Sequence, residues 1–483
     1  MRRTWHNVLF ISTVIMTALS LVVLPQPAWT QEKKDDKAVL DEVLDILKEK
    51  GQITEEKYQE LKTRAKKEGA GKILAGFDGW TPYVKSLDGQ HKIELHGRVH
   101  FDLRAYEEGA RALVNRSNAT GDSRPDLVTK FLVRRARLGV DATFFKYLDL
   151  KFEGEFSEVG SASNADSRFQ LTDGYGELKY WPELRVRGGQ FKVPFSFEEL
   201  TSSRFIDFVE RSVVNNLVPA RDVGAMLHGS LFGGMLEYAA GIFNGTGQNN
   251  PELNDSKDYA GRLLVRPFRL MNIPALEKLH VAGHITYGDQ NSGLSLRGRT
   301  DARFEFFPRV NTNGDRYRYG FEAVYAYGPF GLYGEYVKTE EERKACSIQS
   351  ATACTGGTDL ADIEGEGWYV AGTFFVTGEE KVHGKAPKVK SMNPRTGDFG
   401  ALELVARYAQ LDFDSDSQIP SVGSTQPGPN RVDALTVGFN WYLSPNVRLM
   451  FNWVQNWFDN GLMTPIRGED TSWEILTRLA MWF

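Results

Sequence analysis

Cysteine is almost missing: among 483 residues there are only two, Cys346 and Cys354. A framework of several disulfides is therefore excluded, and so is a cysteine-rich metal site. Proline is scarce, 19 residues against 47 glycines, which excludes a proline-rich or collagen-like chain. Neither sign of charge dominates. With 58 basic and 63 acidic residues the net charge is −5, so there is no basic excess to attract nucleic acid. Long apolar runs are missing too, with one exception at the N-terminus, and a mean hydropathy of −0.38 does not fit a bundle of membrane-crossing helices. What is abundant is aromatic: 30 Phe, 18 Tyr and 10 Trp point to a β-rich protein.

The one apolar run, residues 8–24, carries no formal charge, follows Arg2 and Arg3, and precedes Pro25-Gln26-Pro27-Ala28-Trp29-Thr30. A basic start, an apolar stretch and small residues at a break read as a secretory signal peptide over residues 1–30, cut after Ala28 or Thr30. An uncleaved anchor is the alternative. The mature chain is thus expected outside the cytoplasm, where Cys346 and Cys354, together in one polar loop, suit a disulfide. A redox or metal pair would show CxxC spacing or a neighbouring histidine, and neither is present.

Residues 31–72 differ from everything after them. Charges alternate, aromatics are nearly absent, and Val39, Leu40, Val43, Leu44 and Leu47 recur at helical spacing up to Gly51. A second helix is predicted from Thr54 as N-cap, with Glu55 and Glu56 in its first turn and Tyr58, Leu61 and Ala65 along it. Two helices this short do not bury a core alone. They read either as a coiled-coil-like segment that self-associates or docks, or as a solvated spacer. Residues 73–91 read as a linker.

From Thr81 to Phe483 the period becomes two. In 148–156, Leu148, Leu150, Phe152, Gly154 and Phe156 fall on one face, and Asp149, Lys151, Glu153 and Glu155 on the other. In 316–327, Tyr317, Tyr319, Phe321, Ala323, Tyr325 and Tyr327 stand opposite Arg316, Arg318 and Glu322. A soluble one-faced sheet would alternate likewise, but a charged face in strand after strand opposite an aromatic-rich one fits a membrane barrel. Connections alternate as well. Tight turns at 145–146, 181–183, 232–234, 328–329 and 444–446 are interleaved with long polar loops near 107–126, 195–220, 289–315, 341–364 and 414–430. About sixteen strands are predicted, starting near 92, 127, 148, 169, 184, 221, 235, 257, 278, 316, 330, 365, 399, 431, 446 and 470. The fold class is all-β, an antiparallel transmembrane β-barrel over 92–483 behind a short N-terminal helical segment. An even strand number puts both barrel ends, and that segment, on the periplasmic side. The long 378–398 connection fits this count poorly, since it falls where a short turn is expected. The alternation Ile475, Thr477, Leu479, Met481, Phe483 ends on a terminal aromatic that resembles the signal by which the barrel-assembly machinery recognises bacterial outer-membrane barrels.

Three segments resemble the phosphate-selective porin O and P family: VRRARLGVD at 133–141, GGQFKVPFSFEELTSSRFIDFVERS at 188–212 and NWYLSPNVRLMFNWV at 440–454. The resemblance spans about residues 90–483, and the middle segment is the most specific. It implies a sixteen-stranded homotrimeric pore in outer-membrane lipid, passively permeable to small hydrophilic solutes, with one loop folded inward. Selection of small anions by arginine ladders and lysine clusters is known in the best-studied members, and the family is broad.

This chain's own charges constrain that expectation. Residues 81–483 hold 45 basic and 51 acidic residues, so any anion preference depends on placement. Arginines recur at i, i+2 opposite the apolar face in Arg135/Arg137, Arg185/Arg187 and Arg316/Arg318, with Arg262 and Arg266 four apart. Such neighbours lie about 7 Å apart along a strand, close enough to pass an anion along. Ordinary lumen charge is the competing reading, because Glu153, Glu155, Glu177, Glu322, Glu335 and Glu403 share that face. Lysine is sparse on the strands, which speaks against a lysine cluster. The constriction candidate is the loop 195–220, with Glu198, Glu199, Arg204, Asp207, Glu210 and Arg211, whose Phe195, Phe197, Phe205, Ile206 and Phe208 suit packing on the inner wall. No cofactor or metal is expected. His280 and His284 are about 13 Å apart on one strand, too far for one ion. Hydrolase and nucleotide-binding motifs are missing, so no enzyme is expected. Two alternatives stay open, a non-selective porin and a barrel that mounts an envelope-anchoring or adhesive function.

Overall fold

The computed structural model describes residues 44–50, 52–69, 73–111, 127–157, 169–250, 252, 255–271, 273–290, 295–345, 348–350, 353–355, 358–414, 430–459, 464–466 and 468–483. The signal-peptide region, Val39, Leu40, Val43 and Cys346 lie outside the described residues, as do the side chains of Cys354 and Ala65. The N-terminal unit holds a short helix at 44–49 and α1 (Glu55–Gly69). Thr54 Oγ1 caps α1 by accepting the Lys57 N–H at 3.2 Å. Tyr58 ties the two helices together. It is buried with Leu44, donates to Asp45 at 2.6 Å, and has the Lys48 and Lys62 ammoniums 4.7 and 4.9 Å from its ring centre.

The second unit, from Lys72 to Phe483, is built of strands. In chain order these are β1 (Ile73–Asp78), β2 (Thr81–Ser86), β3 (Lys92–Tyr106), β4 (Lys130–Phe144), β5 (Leu148–Glu155), β6 (Gln170–Leu178), β7 (Arg185–Lys192), β8 (Arg221–Leu231), β9 (Leu236–Phe243), β10 (Asp258–Val265) and β11 (His280–Gln290). They continue with β12 (Ser295–Arg299), β13 (Glu305–Asn311), β14 (Gly314–Tyr327), β15 (Phe330–Ala345), β16 (Ile348–Ser350), β17 (Ala353–Thr355), β18 (Thr358–Phe375), β19 (Ala401–Asp414), β20 (Arg431–Ser444), β21 (Val447–Phe458) and β22 (Thr471–Trp482). β12–β13 and β16–β17 are separate hairpins within long connections. The strands β3–β11, β14, β15 and β18–β22 pair antiparallel in sequence, and β22 returns to β3 from Trp482↔Arg98 to Glu474↔Tyr106. That closes a sixteen-stranded barrel with no free edge. The largest offset from the expected starts is at β18, which begins at Thr358 rather than near 365.

Closure has a specific seam. Gly97 and Phe483 exchange both backbone hydrogen bonds at 3.1 Å, and the Phe483 ring lies over the glycine. A Cβ at residue 97 would sit 2.7 Å from that ring, so only glycine leaves room. Below the seam the stretch expected as a linker forms the hairpin β1–β2, and β2 continues the β3 edge from Tyr83↔Glu94 to Lys85↔Lys92.

The period-two pattern becomes two surfaces. Phe101, Phe131, Val133, Leu138, Val140, Leu150 and Phe152 point outward and are exposed, while His100, Asp102, Arg104, Arg135 and Glu153 point inward. No helix among the described residues is long and apolar enough to cross a membrane. One end of the barrel carries the short turns and the start of β3 and end of β22, the other the long loops.

The interior is not uniformly polar. Val337, Ile363, Leu411, Val454 and Leu476 lie on the inner face of β15–β22 and are fully buried. Two connections fold inward against them. Residues 193–220 bring Phe208, Val209, Val213, Val214 and Leu217, and the β12–β13 hairpin brings Leu296, Phe304, Phe306 and Phe307. Phe307 stacks on Phe413 with centroids 4.2 Å apart. Burial of such side chains stabilises by about 1.5–3 kcal/mol each. Part of the lumen is thereby filled. At the turn end the 376–400 connection, the exception in the strand count, also bends inward, with Lys381 only 3% exposed.

Candidate functional site

Elsewhere the barrel holds a cavity of about 540 Å³. It follows β7 from Arg185 at the turn end to Lys192, a rise of about 23 Å, and ends beneath the inward loop. Nine arginines (98, 135, 137, 185, 187, 204, 211, 221 and 262) and two lysines (151 and 192) line it. Only two carboxylates do, Asp173 and Glu237. In a region with more acidic than basic residues, the acids have been placed elsewhere.

Several are spent on pairing arginines of the wall. Arg98 and Arg137 stand directly opposite each other on β3 and β4, a repulsive pairing, and Glu153 bridges both, contacting Arg98 and lying 3.1 Å from Arg137. Glu155 holds Arg137 Nε at 2.7 Å, Glu177 holds Arg187, and Asp173 receives both arms of Arg221 at 2.9 and 3.1 Å. Arg187 also lies over Tyr175, 4.3 Å from its ring centre. Of the nine lining arginines, two have no carboxylate within ion-pair distance among the described residues. Arg135 has only His100, at 3.5 Å, and Arg204 lies near Phe205 with its Nε buried and unpartnered.

The loop completes the division. α2 (Phe197–Leu200) starts at Ser196, whose Oγ accepts the Glu199 N–H at 3.2 Å. None of the four carboxylates of the loop candidate lines the cavity. Glu198 accepts from Ser212 N and Oγ and pairs with Arg407 at 3.0 Å. Glu199 faces Arg211 at 3.3 Å, Asp207 pairs with Lys381 at 2.6 Å, and Glu210 binds Arg104, Arg134 and Arg478 at 2.7, 2.7 and 3.1 Å. Burial pushes the Asp207 carboxyl up, but Lys381 and His383 beside it prevail and hold it below the usual carboxylate range. Burial acts on Glu210 in the same way and is outweighed by Arg134, Arg104 and Arg478. With its four acids so engaged, a loop that is net acidic in sequence shows the cavity Arg204 and Arg211.

The arginines read from the sequence therefore divide. Arg135, Arg137, Arg185, Arg187 and Arg262 come together around the cavity. Arg316 is buried in a pair with Asp258 and Arg318 lies 3.7 Å from Glu341, both apart from it, while Arg266 does not line the cavity itself but pairs with Glu237, which does. Sequence reasoning passed over Arg98, Arg104, Lys192, Arg221, Arg407, Arg448 and Arg478. For Arg98, Arg104, Arg448 and Arg478 strand parity was the available signal. Arg134 has none: a bulge pairs His100 with Arg135 and Phe101 with Val133, and the extra residue turns inward onto Glu210.

A sixteen-stranded barrel with an inward loop and a basic opening agrees with comparisons to known proteins. The family model for phosphate-selective porin O and P matches residues 94–460. The chain is similar to Porin O of Pseudomonas aeruginosa, 22% identical over 425 residues that cover 82% of this chain and 89% of the relative. Among solved structures it is similar in fold to the outer membrane channel DcaP of Acinetobacter baumannii, with a TM-score of 0.50, 11% identity, and coverage of 85% and 100%. The chain is an outer-membrane diffusion channel and belongs to the phosphate-selective porin O and P family.

Proposed function

We propose that this porin passes small anions in preference to cations, with phosphate-class oxyanions as preferred permeants. The observation that carries the reading is the cavity lining, eleven basic side chains against two carboxylates. Guanidinium forks suit phosphate and carboxylate oxygens, and low-dielectric walls strengthen their attraction. Arg135 and Arg204, with no carboxylate to compete, are the residues an entering anion meets as partners, and Arg185, Arg187, Arg137 and Arg262 form the path beneath them. The test is chloride current through single channels in planar bilayers as phosphate is added. Reduction of chloride current by phosphate supports the reading, and indifference to phosphate leaves a general anion-leaning porin. A barrel that does not conduct would instead favour the anchoring or adhesive role.

The same proposal includes a homotrimer, a signal peptide over 1–30, a periplasmic position for the helical segment, outer-membrane lipid around the apolar belt, and no enzymatic activity. It also includes delivery by the barrel-assembly machinery through the Phe483 end and a Cys346–Cys354 disulfide. Native mass in detergent tests the trimer.

A further inference from the structure

The 376–400 connection offers a role that neither the cavity lining nor the family membership assigns. Neighbouring strands at this end turn within a few residues, as at 328–329 and 445–446. This connection instead bends into the periplasmic mouth and is fixed there: Lys381 N donates to Gly328 O at 2.7 Å and the His383 ring meets Tyr325 O at 3.0 Å. Its Lys381 Nζ then reaches two carboxylates on different elements, Asp207 in the middle of the inward loop and Glu403 on β19, each at 2.6 Å. Asn440 joins the same group, donating to the Asp207 carbonyl at 2.9 Å and to Glu403 at 3.0 Å. A lysine 3% exposed is costly to bury unless paired, and here one cation joins two separate elements.

We propose that Lys381 is a positioning residue for the constriction: a cation delivered from the periplasmic side that pins the loop's midpoint to the wall and keeps the opening clear. The loop enters the barrel from the extracellular end, between β7 and β8, so its own roots do not fix the far side. Without Lys381, Asp207 and Glu403 face each other as like charges, and the loop is driven off the wall toward the cavity. This rests on the channel reading but not on anion preference, and its readout is closure rather than selectivity.

The experiment records single-channel KCl current for wild type, Lys381→Met, Asp207→Asn and Lys381→Arg, each checked for a heat-modifiable barrel. Lys381→Met and Asp207→Asn change the lumen charge in opposite directions but break the same contact. Both are expected to close on the order of tenfold more often than wild type, the factor given by about 1.4 kcal/mol of lost holding free energy. Lys381→Arg is expected to keep the steady current. If Lys381→Met does not assemble, Asp207→Asn against Lys381→Arg carries the comparison. The proposal is overturned if the Met and Asn variants move current in opposite directions, as charge alone dictates, or if Asp207→Asn records as steadily as wild type. A wild-type channel without anion preference would contradict the proposed function and leave this comparison readable.

Discussion

Arg204 and Glu198 lie six residues apart in one loop and have opposite fates. Glu198 is spent on Ser212 and Arg407, whereas Arg204 is left facing the cavity without a carboxylate. Neutralising them should therefore have unlike effects. One guanidinium attracts a monovalent anion at about 7 Å by about 0.6 kcal/mol even at the dielectric of water, about a threefold factor. Arg204→Gln is expected to lower the anion-to-cation permeability ratio by at least about that factor with little loss of folded barrel, as measured by reversal potential. Glu198→Gln removes a buried partner of Arg407 and is expected to show chiefly as a lower unfolding midpoint. The loop carboxylates also set a pH window. Asp207 and Glu210 titrate lower when folded than unfolded, so their contribution is full above the unfolded value of about 4 and is lost as pH falls through the lower folded values. Loop accessibility to protease should stay constant from neutral pH to about 4 and rise only below that. A rise already near pH 6 would mean that these pairs do not hold the loop.

At the scale of elements, strand parity decides which side chain meets lipid and which meets water. Val186 and Arg187 are adjacent on β7, the first pointing out and the second onto Glu177 and Tyr175. A cysteine at 186 is expected to react with a lipid-soluble label, and one at 187 with a small aqueous reagent. Equal labelling would contradict the barrel orientation. Much of this was legible in the sequence, because alternation in Tyr317, Tyr319, Phe321 and Tyr325 needs only the geometry of a strand. The apolar filling of part of the lumen was harder to read. Its trace is the few strands with apolar residues on both faces, such as Val454 within VRLMFNWVQNWF, where a partner from inside must cover the second face. The placement of carboxylates was not legible at all. Which of Arg187 and Arg135 keeps a carboxylate depends on cross-strand register and on a bulge, and neither leaves a periodic signal.

For the whole molecule, closure and charge placement both depend on contacts between residues far apart in the chain. The seam joins residues 97 and 483, and the Phe483 ring occupies space that any side chain at 97 would need. Gly97→Val and deletion of Phe483 are both expected to reduce the heat-modifiable barrel recovered from outer membranes. Normal recovery of both would remove the seam from the assembly argument. Charge placement is the larger matter: the barrel region is net acidic, yet folding leaves a basic opening. The most direct measurement is the zero-current potential of wild-type channels in a planar bilayer across a KCl gradient. A potential on the chloride side is expected, because permeating ions meet the lining and not the sum over the chain. A potential on the potassium side would contradict it, and would mean that net charge rather than placement governs what passes.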